Sequence, residues 1–267
     1  MKIKIGLIQA AVRLGDAAYN YGHVEALLED AAKRGAEMLV LPEMWNTGFF
    51  PRRRLHELAD PEGKRTQALL SAMAKKYGLC IVGGSAAIQE EGAFYNRAYV
   101  MDTEGRRISF YDKIHGFSPS KEPEVFHMGR ELPFFKAGPL NASMVLCYDL
   151  RFPELIRREV LGGADMIFVP AAWPAERLYH WDTLLKARAI ENQIFLCAVN
   201  QAGFDGKNEY AGHSLLLDPW GEVLAQGGPG EDILIASIDT DMLEDVRRRM
   251  RVFHDRRDDV DFIFPQR

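Results

Sequence analysis

The sequence has few of the features that characterise disulfide-stabilised, metal-binding or membrane-spanning proteins. Its only cysteines among 267 residues are Cys80, Cys147 and Cys197, which form no CxxC pair and have no histidine at ligand spacing. An odd number of widely spaced cysteines argues against a disulfide framework and against a zinc cage. No apolar run reaches the roughly 20 residues that a membrane helix needs. We therefore predict a reduced, cytoplasmic protein that has no membrane partner and no metal.

Several common catalytic motifs are also missing. The sequence contains no GxxxxGK[ST] phosphate loop and no HExxH metal helix. The segment Gly83-Gly84-Ser85-Ala86-Ala87 lacks the last glycine of a GxSxG nucleophile elbow, so we interpret it as the small-residue end of a strand. The net charge of −5 disfavours nucleic acid as a partner.

What is present is an ordinary globular composition, with 47% hydrophobic and 27% charged residues. Strand-like and helix-like segments alternate without a linker or repeat, which predicts one domain over residues 1–267. Because some strands also follow each other directly, we expect an α/β fold with a mixed sheet and helices on its outer faces. Predicted helices are Val24–Arg34, Lys64–Tyr77, a segment from about Pro153, and Trp181–Glu191. Predicted strands are Ile3–Gln9, Met38–Pro42, Cys80–Ser85, Ala98–Asp102, Arg107–Lys113, Ala142–Cys147, Met166–Pro170 and Ile194–Asn200, followed by a β-meander of His213–Asp218, Glu222–Gln226 and Ile233–Ile238.

Cys147 differs from the other two cysteines in its position. Cys80 and Cys197 lie within apolar strands, where a free cysteine is usually part of the core. Cys147 follows the apolar strand Ser143-Met144-Val145-Leu146 and precedes a helix. Backbone N–H groups at such a junction favour a thiolate and a developing oxyanion. This position makes Cys147 a candidate nucleophile.

A nucleophilic cysteine needs a base, and no histidine of this sequence is marked out by its surroundings. Glu43 stands where the apolar segment Met38-Leu39-Val40-Leu41-Pro42 ends, and Lys113 ends the strand that includes Tyr111. A carboxylate could accept the thiol proton while an ammonium group stabilises an oxyanion. Spacing alone, however, favours solvated loop charges or a structural ion pair.

Three segments around these residues resemble the signature segments of the nitrilase superfamily, the carbon–nitrogen hydrolases. They are Leu41-Pro42-Glu43-Met44-Trp45-Asn46-Thr47-Gly48, Tyr111-Asp112-Lys113-Ile114-His115 and Cys147-Tyr148-Asp149-Leu150-Arg151-Phe152-Pro153-Glu154. They occur in the family's order and with similar spacing. The resemblance extends from about Ile3 to Arg257.

The resemblance implies a four-layer αββα sandwich with two mixed sheets and a Glu-Lys-Cys triad that works without a cofactor. By this analogy Cys147 attacks an amide carbon, Glu43 is the general base, and Lys113 stabilises the oxyanion together with the Tyr148 N–H. Family members carry a second active-site glutamate after the lysine. Glu122 is its best match here, and Glu124 is the alternative.

Within the superfamily, the residues after Cys147 most resemble the Nit2-type ω-amidases and their bacterial relatives. Those enzymes hydrolyse ω-amides of dicarboxylic acids, such as 2-oxoglutaramate and succinamate. Arg151 is then a candidate for binding the substrate carboxylate, although pairing with Asp149 or Glu154 is an equal alternative. Trp173 is a candidate wall of the substrate pocket or an ordinary packed aromatic residue. Another linear amide or an N-carbamoyl compound is the alternative substrate.

The C-terminal segment, about residues 240–267, is rich in arginine interleaved with aspartate. This pattern suits ion pairs within or between chains, and relatives use the corresponding tail in a two-fold interface. We therefore predict a homodimer or larger homo-oligomer in preference to an RNA-binding protein. A non-catalytic binding protein on the same scaffold is a further alternative, but it would have no need of Glu43, Lys113 and Cys147 together.

Overall fold

The computed structural model describes residues 1–206, 208–257 and 259. The last part of the predicted contact segment, residues 258 and 260–267, lies outside the described residues.

The first of two large sheets has seven strands, in the order β15-β1-β2-β4-β5-β6 with β3 beside β4. Strands β1, β2 and β4 run parallel to one another, whereas β15, β5 and β6 join antiparallel, so the sheet is mixed. The strands are β1 Lys2–Gln9, β2 Met38–Val40, β3 Asp60–Pro61, β4 Cys80–Glu90, β5 Ala93–Met101, β6 Arg107–Asp112 and β15 Asp232–Asp239.

The second sheet has six strands in the order β14-β13-β10-β9-β8-β7 and is mixed in the same way. Its strands are β7 Phe135–Ala137, β8 Leu140–Met144, β9 Met166–Ala171, β10 Phe195–Asn200, β13 Leu215–Leu217 and β14 Val223–Gln226. A separate hairpin consists of β11 Ala202–Phe204 and β12 Glu209–Ala211.

The described residues contain seven α-helices, of which four form the two outer layers. The seven are α1 Ala17–Lys33, α2 Leu55–Leu58, α3 Lys64–Tyr77, α4 Pro153–Leu161, α5 Leu178–Asn192, α6 Met242–Arg249 and α7 Val252–Asp255. One apolar cluster joins α1 and α3 to the first sheet, and another joins α4 and α5 to the second. A third cluster, including Leu7, Val82, Leu146 and Phe168, fills the space between the sheets. The predicted four-layer αββα sandwich is confirmed.

The alternating patterns predicted most elements, and Lys64–Tyr77 has the predicted bounds. Cys80 and Cys197 are buried in the cluster between the sheets, as their apolar strands indicated.

Three local predictions were wrong. The segment Ile233–Ile238 does not complete a β-meander. It belongs to β15, which pairs with β1 of the first sheet and not with β14 of the second. Gly83–Ala87 is not a strand end, since β4 continues through it with a bulge between Val82 and Ser85. The strand before Cys147 ends at Met144. These are consequences of tertiary pairing, which short sequence windows do not contain.

The described part of the C-terminal segment packs on its own chain. In α6, Arg247 pairs with Asp165 at 2.8 Å, while Arg248 and Arg249 both pair with Asp245. The arginines of this helix therefore form ion pairs within the chain.

Candidate active site

Cys147 stands on a strained turn between the second sheet and helix α4. After β8 ends, a 3₁₀ turn spans Cys147–Arg151, and Cys147 adopts a φ of 44°. This left-handed conformation is uncommon for a residue with a side chain and is retained only where the surroundings impose it. The turn brings Cys147 to the wall of a pocket while leaving it 8% exposed.

The side chain that imposes this turn is the buried Asp149. Its Oδ2 accepts the Leu146 N–H at 2.9 Å, next to the cysteine, and the Tyr111 hydroxyl at 2.8 Å. Its Oδ1 accepts the His115 N–H at 2.8 Å, and the ring Nδ1 of His115 lies at the same distance. Asp149 thus ties the cysteine turn to the segment that carries Lys113.

Glu43 lies on a second constrained turn, which follows β2 of the first sheet. The next residue, Met44, has a φ of 49°, and its N–H donates to the Ser85 hydroxyl at 2.9 Å. Gly84 permits this contact, because a Cβ there would lie 2.1 Å from the Pro42 carbonyl oxygen. Ser85 therefore anchors the Glu43 turn.

Four buried side chains form what we call the acid–ammonium cluster: Glu43, Asn96, Lys113 and Glu122. Lys113 Nζ donates to Glu43 Oε1 at 2.7 Å and to the two Glu122 oxygens at 2.9 and 3.2 Å. Asn96 Nδ2 donates to both carboxylates, at 2.9 Å to Glu43 and 3.0 Å to Glu122. The cluster holds the two carboxylates close together with one cation between them.

Glu122 and Glu124, the two candidates for the second active-site glutamate, lie in very different surroundings. Glu122 is buried in the cluster, and it also accepts the Phe117 N–H at 2.7 Å. The side chain of Glu124 is 52% exposed and pairs with Arg52 at 3.0 Å. Of these two glutamates, only Glu122 can therefore act on Lys113 directly.

The Cys147 thiol adjoins this cluster. Glu43, Lys113 and the backbone N–H of Ala172 all lie near enough to the sulfur to affect its pKa. The Ala172 N–H itself donates to Glu43 Oε2 at 3.1 Å. A nucleophile, a proton acceptor and a cation thus meet at the wall of one pocket.

Burial raises the pKa of Cys147 well above its ordinary value, and the charge of Glu43 adds to this, although Lys113 and the Ala172 N–H oppose it. The expectation that backbone N–H groups would favour a thiolate is therefore outweighed by desolvation. The resting sulfur is a thiol, which needs a base when it attacks.

Burial also raises the pKa of Glu43, partly offset by Lys113 and reinforced by Glu122. Burial alone would lower the pKa of Lys113, but Glu122, Glu43 and Cys147 together raise it. Lys113 is therefore a permanent cation, while Glu43 binds a proton more readily than an ordinary carboxylate. A base with a raised pKa is suited to taking a proton from a thiol.

The pocket in front of Cys147 has a volume of about 130 Å³. This is smaller than typical sites for drug-sized ligands, so it suits a small substrate. Trp173 forms part of the wall and is held by its Nε1–H, which donates to the Arg177 carbonyl oxygen at 2.8 Å. Tyr148 also lines the pocket and makes an edge contact with Phe117.

Arg151 lines the same pocket. Its guanidinium lies over the Trp173 ring at 4.6 Å and contacts His180 Nδ1 at 3.4 Å. Within the described residues it has no ion pair with Asp149 or Glu154, the two acids that the sequence offered as partners. The guanidinium therefore faces the pocket without a carboxylate bound to it.

Three residues of this site were missed by sequence analysis. Asn96 was detectable only as a polar residue within the strand Ala93–Met101, and Asp149 was considered only as a partner of Arg151. Arg177 lies 30 residues from Cys147 in the chain, and nothing local marked it as part of the pocket.

Two properties of the described residues bear on other functions. No helix there is both long and apolar enough to span a bilayer. No group of three or more His, Cys, Asp or Glu side chains in that part of the chain could hold a metal ion.

Comparison with known proteins places this geometry in a family. The family model described as carbon–nitrogen hydrolase matches residues 4–248. A 2-oxoglutaramate amidase of Bacillus subtilis is 43% identical, over 97% of this chain and all of that protein. Omega-amidase NIT2 of Danio rerio is 32% identical, over 97% of this chain and 96% of the other.

The fold comparison agrees with the sequence comparison. A CN-hydrolase superfamily protein of Xanthomonas campestris, whose crystal structure has an arsenic adduct in the active site, superimposes with a TM-score of 0.90. It shares 30% identity, and the match covers 99% of this chain and all of that one.

Proposed function

The chain belongs to the carbon–nitrogen hydrolase family, and from this premise we propose that it hydrolyses an ω-amide of a dicarboxylic acid, such as 2-oxoglutaramate or succinamate, to the free acid and ammonia. The observation that carries the proposal is the position of Cys147 next to the acid–ammonium cluster, at the wall of a small pocket that Arg151 also lines. The names of the relatives in Bacillus subtilis and Danio rerio support the same substrate class.

In the first half of the reaction, Cys147 Sγ attacks the amide carbon while Glu43 takes the thiol proton. The carbonyl oxygen becomes an oxyanion, which Lys113 and the Tyr148 N–H stabilise. Lys113 can turn one N–H toward the oxyanion, because Glu122 is contacted through both of its oxygens and one contact is enough to hold it. Glu43 then gives its proton to the nitrogen, the C–N bond breaks, and ammonia leaves a thioester on Cys147.

In the second half, Glu43 accepts a proton from water as the water oxygen attacks the thioester. Lys113 stabilises the second oxyanion as it did the first. The C–S bond breaks, the proton returns to sulfur, and the acid is released. Glu122 and Asn96 act as positioning residues, since they fix Lys113 and Glu43 through hydrogen bonds. Every step uses groups of the chain itself.

The substrate class follows from the charge around the pocket. Arg151 is a fixed guanidinium without a carboxylate partner among the described residues, so it can bind the distal carboxylate of the substrate. Trp173 supplies an apolar wall for the methylene stem. A neutral amide would leave the guanidinium without a partner.

We further propose that the protein is one domain that acts in the cytoplasm as a homodimer or larger assembly. Three buried, unpaired cysteines suit a reducing compartment. Light scattering of the purified chain, with and without residues 250–267, tests whether the C-terminal segment makes the oligomer contacts.

Ammonia release tests the activity directly. We expect turnover of succinamate and 2-oxoglutaramate to exceed that of glutamine, simple aliphatic amides, nitriles and N-carbamoyl amino acids. Cys147→Ala should retain the fold, seen by circular dichroism, but lose turnover. A preference for neutral amides would refute the substrate class, and activity in Cys147→Ala would refute the mechanism.

A further inference from the structure

Three charged side chains surround the pocket opening, and we call them the charged rim: Arg151, Glu176 and Arg177. All three line the pocket together with Cys147. Glu176 is the only acid among the described residues that line it. The rim therefore contributes two cations and one internal anion to a cavity of about 130 Å³.

Arg177 is held in place from both sides. It ends the 3₁₀ turn Ala175–Arg177 before helix α5, and its carbonyl oxygen accepts the Nε1–H of the wall residue Trp173 at 2.8 Å. Its guanidinium lies 5.4 Å from the centre of the Phe117 ring, another wall residue. The first contact fixes the backbone of Arg177, and the second places its guanidinium beside the pocket wall.

Glu176, the ion-pair partner of Arg177, is much less constrained than Arg177 itself. Glu176 Oε1 lies 2.6 Å from Arg177 Nη2, yet the Glu176 side chain is 68% exposed. Exposed ion pairs contribute little to stability, because water competes for both ions. Rotation of the Glu176 side chain would carry its carboxylate into solvent and leave the guanidinium of Arg177 available.

We propose that Arg177 is a second specificity-determining residue beside Arg151, and that Glu176 is an internal carboxylate that the carboxylate of the substrate displaces from it. This inference rests on the function proposed above and deepens it. The incoming carboxylate and the departing one carry the same charge, so the exchange leaves the charge balance of the rim unchanged. A neutral amide cannot make this exchange, so Arg177 stays paired with Glu176 when such an amide is bound.

The two substitutions that test this have opposite effects. Arg177→Gln should lower the ratio of kcat/KM for succinamate to kcat/KM for butyramide about 10- to 100-fold, mainly through KM, because a charge-assisted hydrogen bond is lost. Glu176→Gln should lower KM for succinamate about two- to fivefold, which is the range expected for removing an exposed competitor. The matched control is the exposed pair of Asp30 on α1 and Arg34 directly after this helix, which lies outside the pocket lining; Asp30→Asn and Arg34→Gln should not move the ratio.

The double variant separates displacement from a general charge effect. If Glu176 acts by occupying Arg177, Glu176→Gln should have no effect on KM in the Arg177→Gln background. An equal effect in both backgrounds would overturn the displacement, and an unchanged substrate ratio in Arg177→Gln would overturn the role of Arg177. In either case the ω-amidase function could still stand, whereas a wild-type protein without preference for succinamate over butyramide would refute both proposals.

Discussion

The acid–ammonium cluster and the charged rim adjoin the same pocket, but they are built in opposite ways. In the cluster every side chain is buried, and Lys113 and Asn96 each bind both carboxylates. In the rim, the exposed Glu176 pairs with the partly buried Arg177, and Arg151 has no carboxylate partner among the described residues. Several contacts therefore fix each reacting group, whereas substrate choice depends on rim side chains that can exchange one carboxylate partner for another.

The largest expected effect comes from removing the cation of the cluster. Lys113→Met should lower kcat about 1,000-fold, because the oxyanion loses its main stabilising charge. It should also destabilise the fold by about 3–5 kcal/mol, since two buried carboxylates are left without their partner. Steady-state kinetics and urea denaturation measure the two effects.

Lys121→Met is the matched control, since Lys121 is an exposed lysine that contacts Glu124. It should change neither quantity appreciably. If Lys113→Met kept more than a tenth of wild-type kcat, the cluster would not be the catalytic centre.

Asp149→Asn tests whether the strained turn at Cys147 belongs to the same rigid region as the acid–ammonium cluster. Asp149→Asn replaces an acceptor of several N–H and O–H donors by a group that is itself partly a donor. We expect a loss of about 100-fold in kcat from misplacement of Cys147 and of about 1–3 kcal/mol in the free energy of unfolding. Tyr111→Phe removes one of these bonds and should have a smaller effect on both. A normal kcat with a lowered melting temperature would mean that Asp149 only stabilises the fold.

The pH dependence of kcat/KM for a neutral amide reports on the acid–ammonium cluster alone, because such an amide has no carboxylate for the charged rim to bind. Glu43 must be unprotonated to accept the thiol proton, and burial raises its pKa above the ordinary 4.5. We therefore expect kcat/KM for butyramide to fall about tenfold per pH unit on an acid limb whose midpoint lies above that value. No basic limb is expected near neutrality, because the pKa of Cys147 is raised well above 9.0. An acid limb centred at or below the ordinary carboxylate pKa would exclude Glu43 as the base.

Glu159 provides a second comparison, since it is a buried acid that forms no ion pair with any of the described residues. Its Oε1 lies 2.8 Å from the Ser143 hydroxyl, which also contacts the Pro133 carbonyl oxygen at 2.7 Å. A hydroxyl has one proton and a carbonyl oxygen only accepts, so the second proton comes from a neutral Glu159. Burial raises its pKa well above the ordinary 4.5, in agreement with this geometry.

A raised pKa in the folded state stabilises the protein fully below the unfolded pKa, and the contribution is lost as pH rises toward the folded pKa. Wild type should therefore lose about 1.4 kcal/mol per pH unit relative to Glu159→Gln between about pH 5 and 7. Urea denaturation across this range measures the difference. Parallel curves for the two proteins would show that Glu159 is charged in the fold.

Prediction from the sequence was best where the pattern is local. The bounds of Lys64–Tyr77 were predicted because its apolar spacing is helical and glycines flank it at both ends. Ile233–Ile238 was identified as a strand, but its partner was wrong, because β15 could pair either with the nearby β14 or with the distant β1. Periodicity states which residues form a strand and is silent on which strand lies beside it.

The sequence by itself predicted most of the elements and, through its resemblance to a known family, the four-layer order and the candidates Glu43, Lys113 and Cys147, because these depend on residue type and on short, recognisable segments. Only the tertiary structure decided that Glu122 and not Glu124 meets Lys113, that Asp149 holds the cysteine turn, and that Arg177 reaches the pocket. The physical reason is that a buried charge is specified by every group packed around it. Those groups come from segments far apart in the chain, and folding alone brings them within hydrogen-bonding distance.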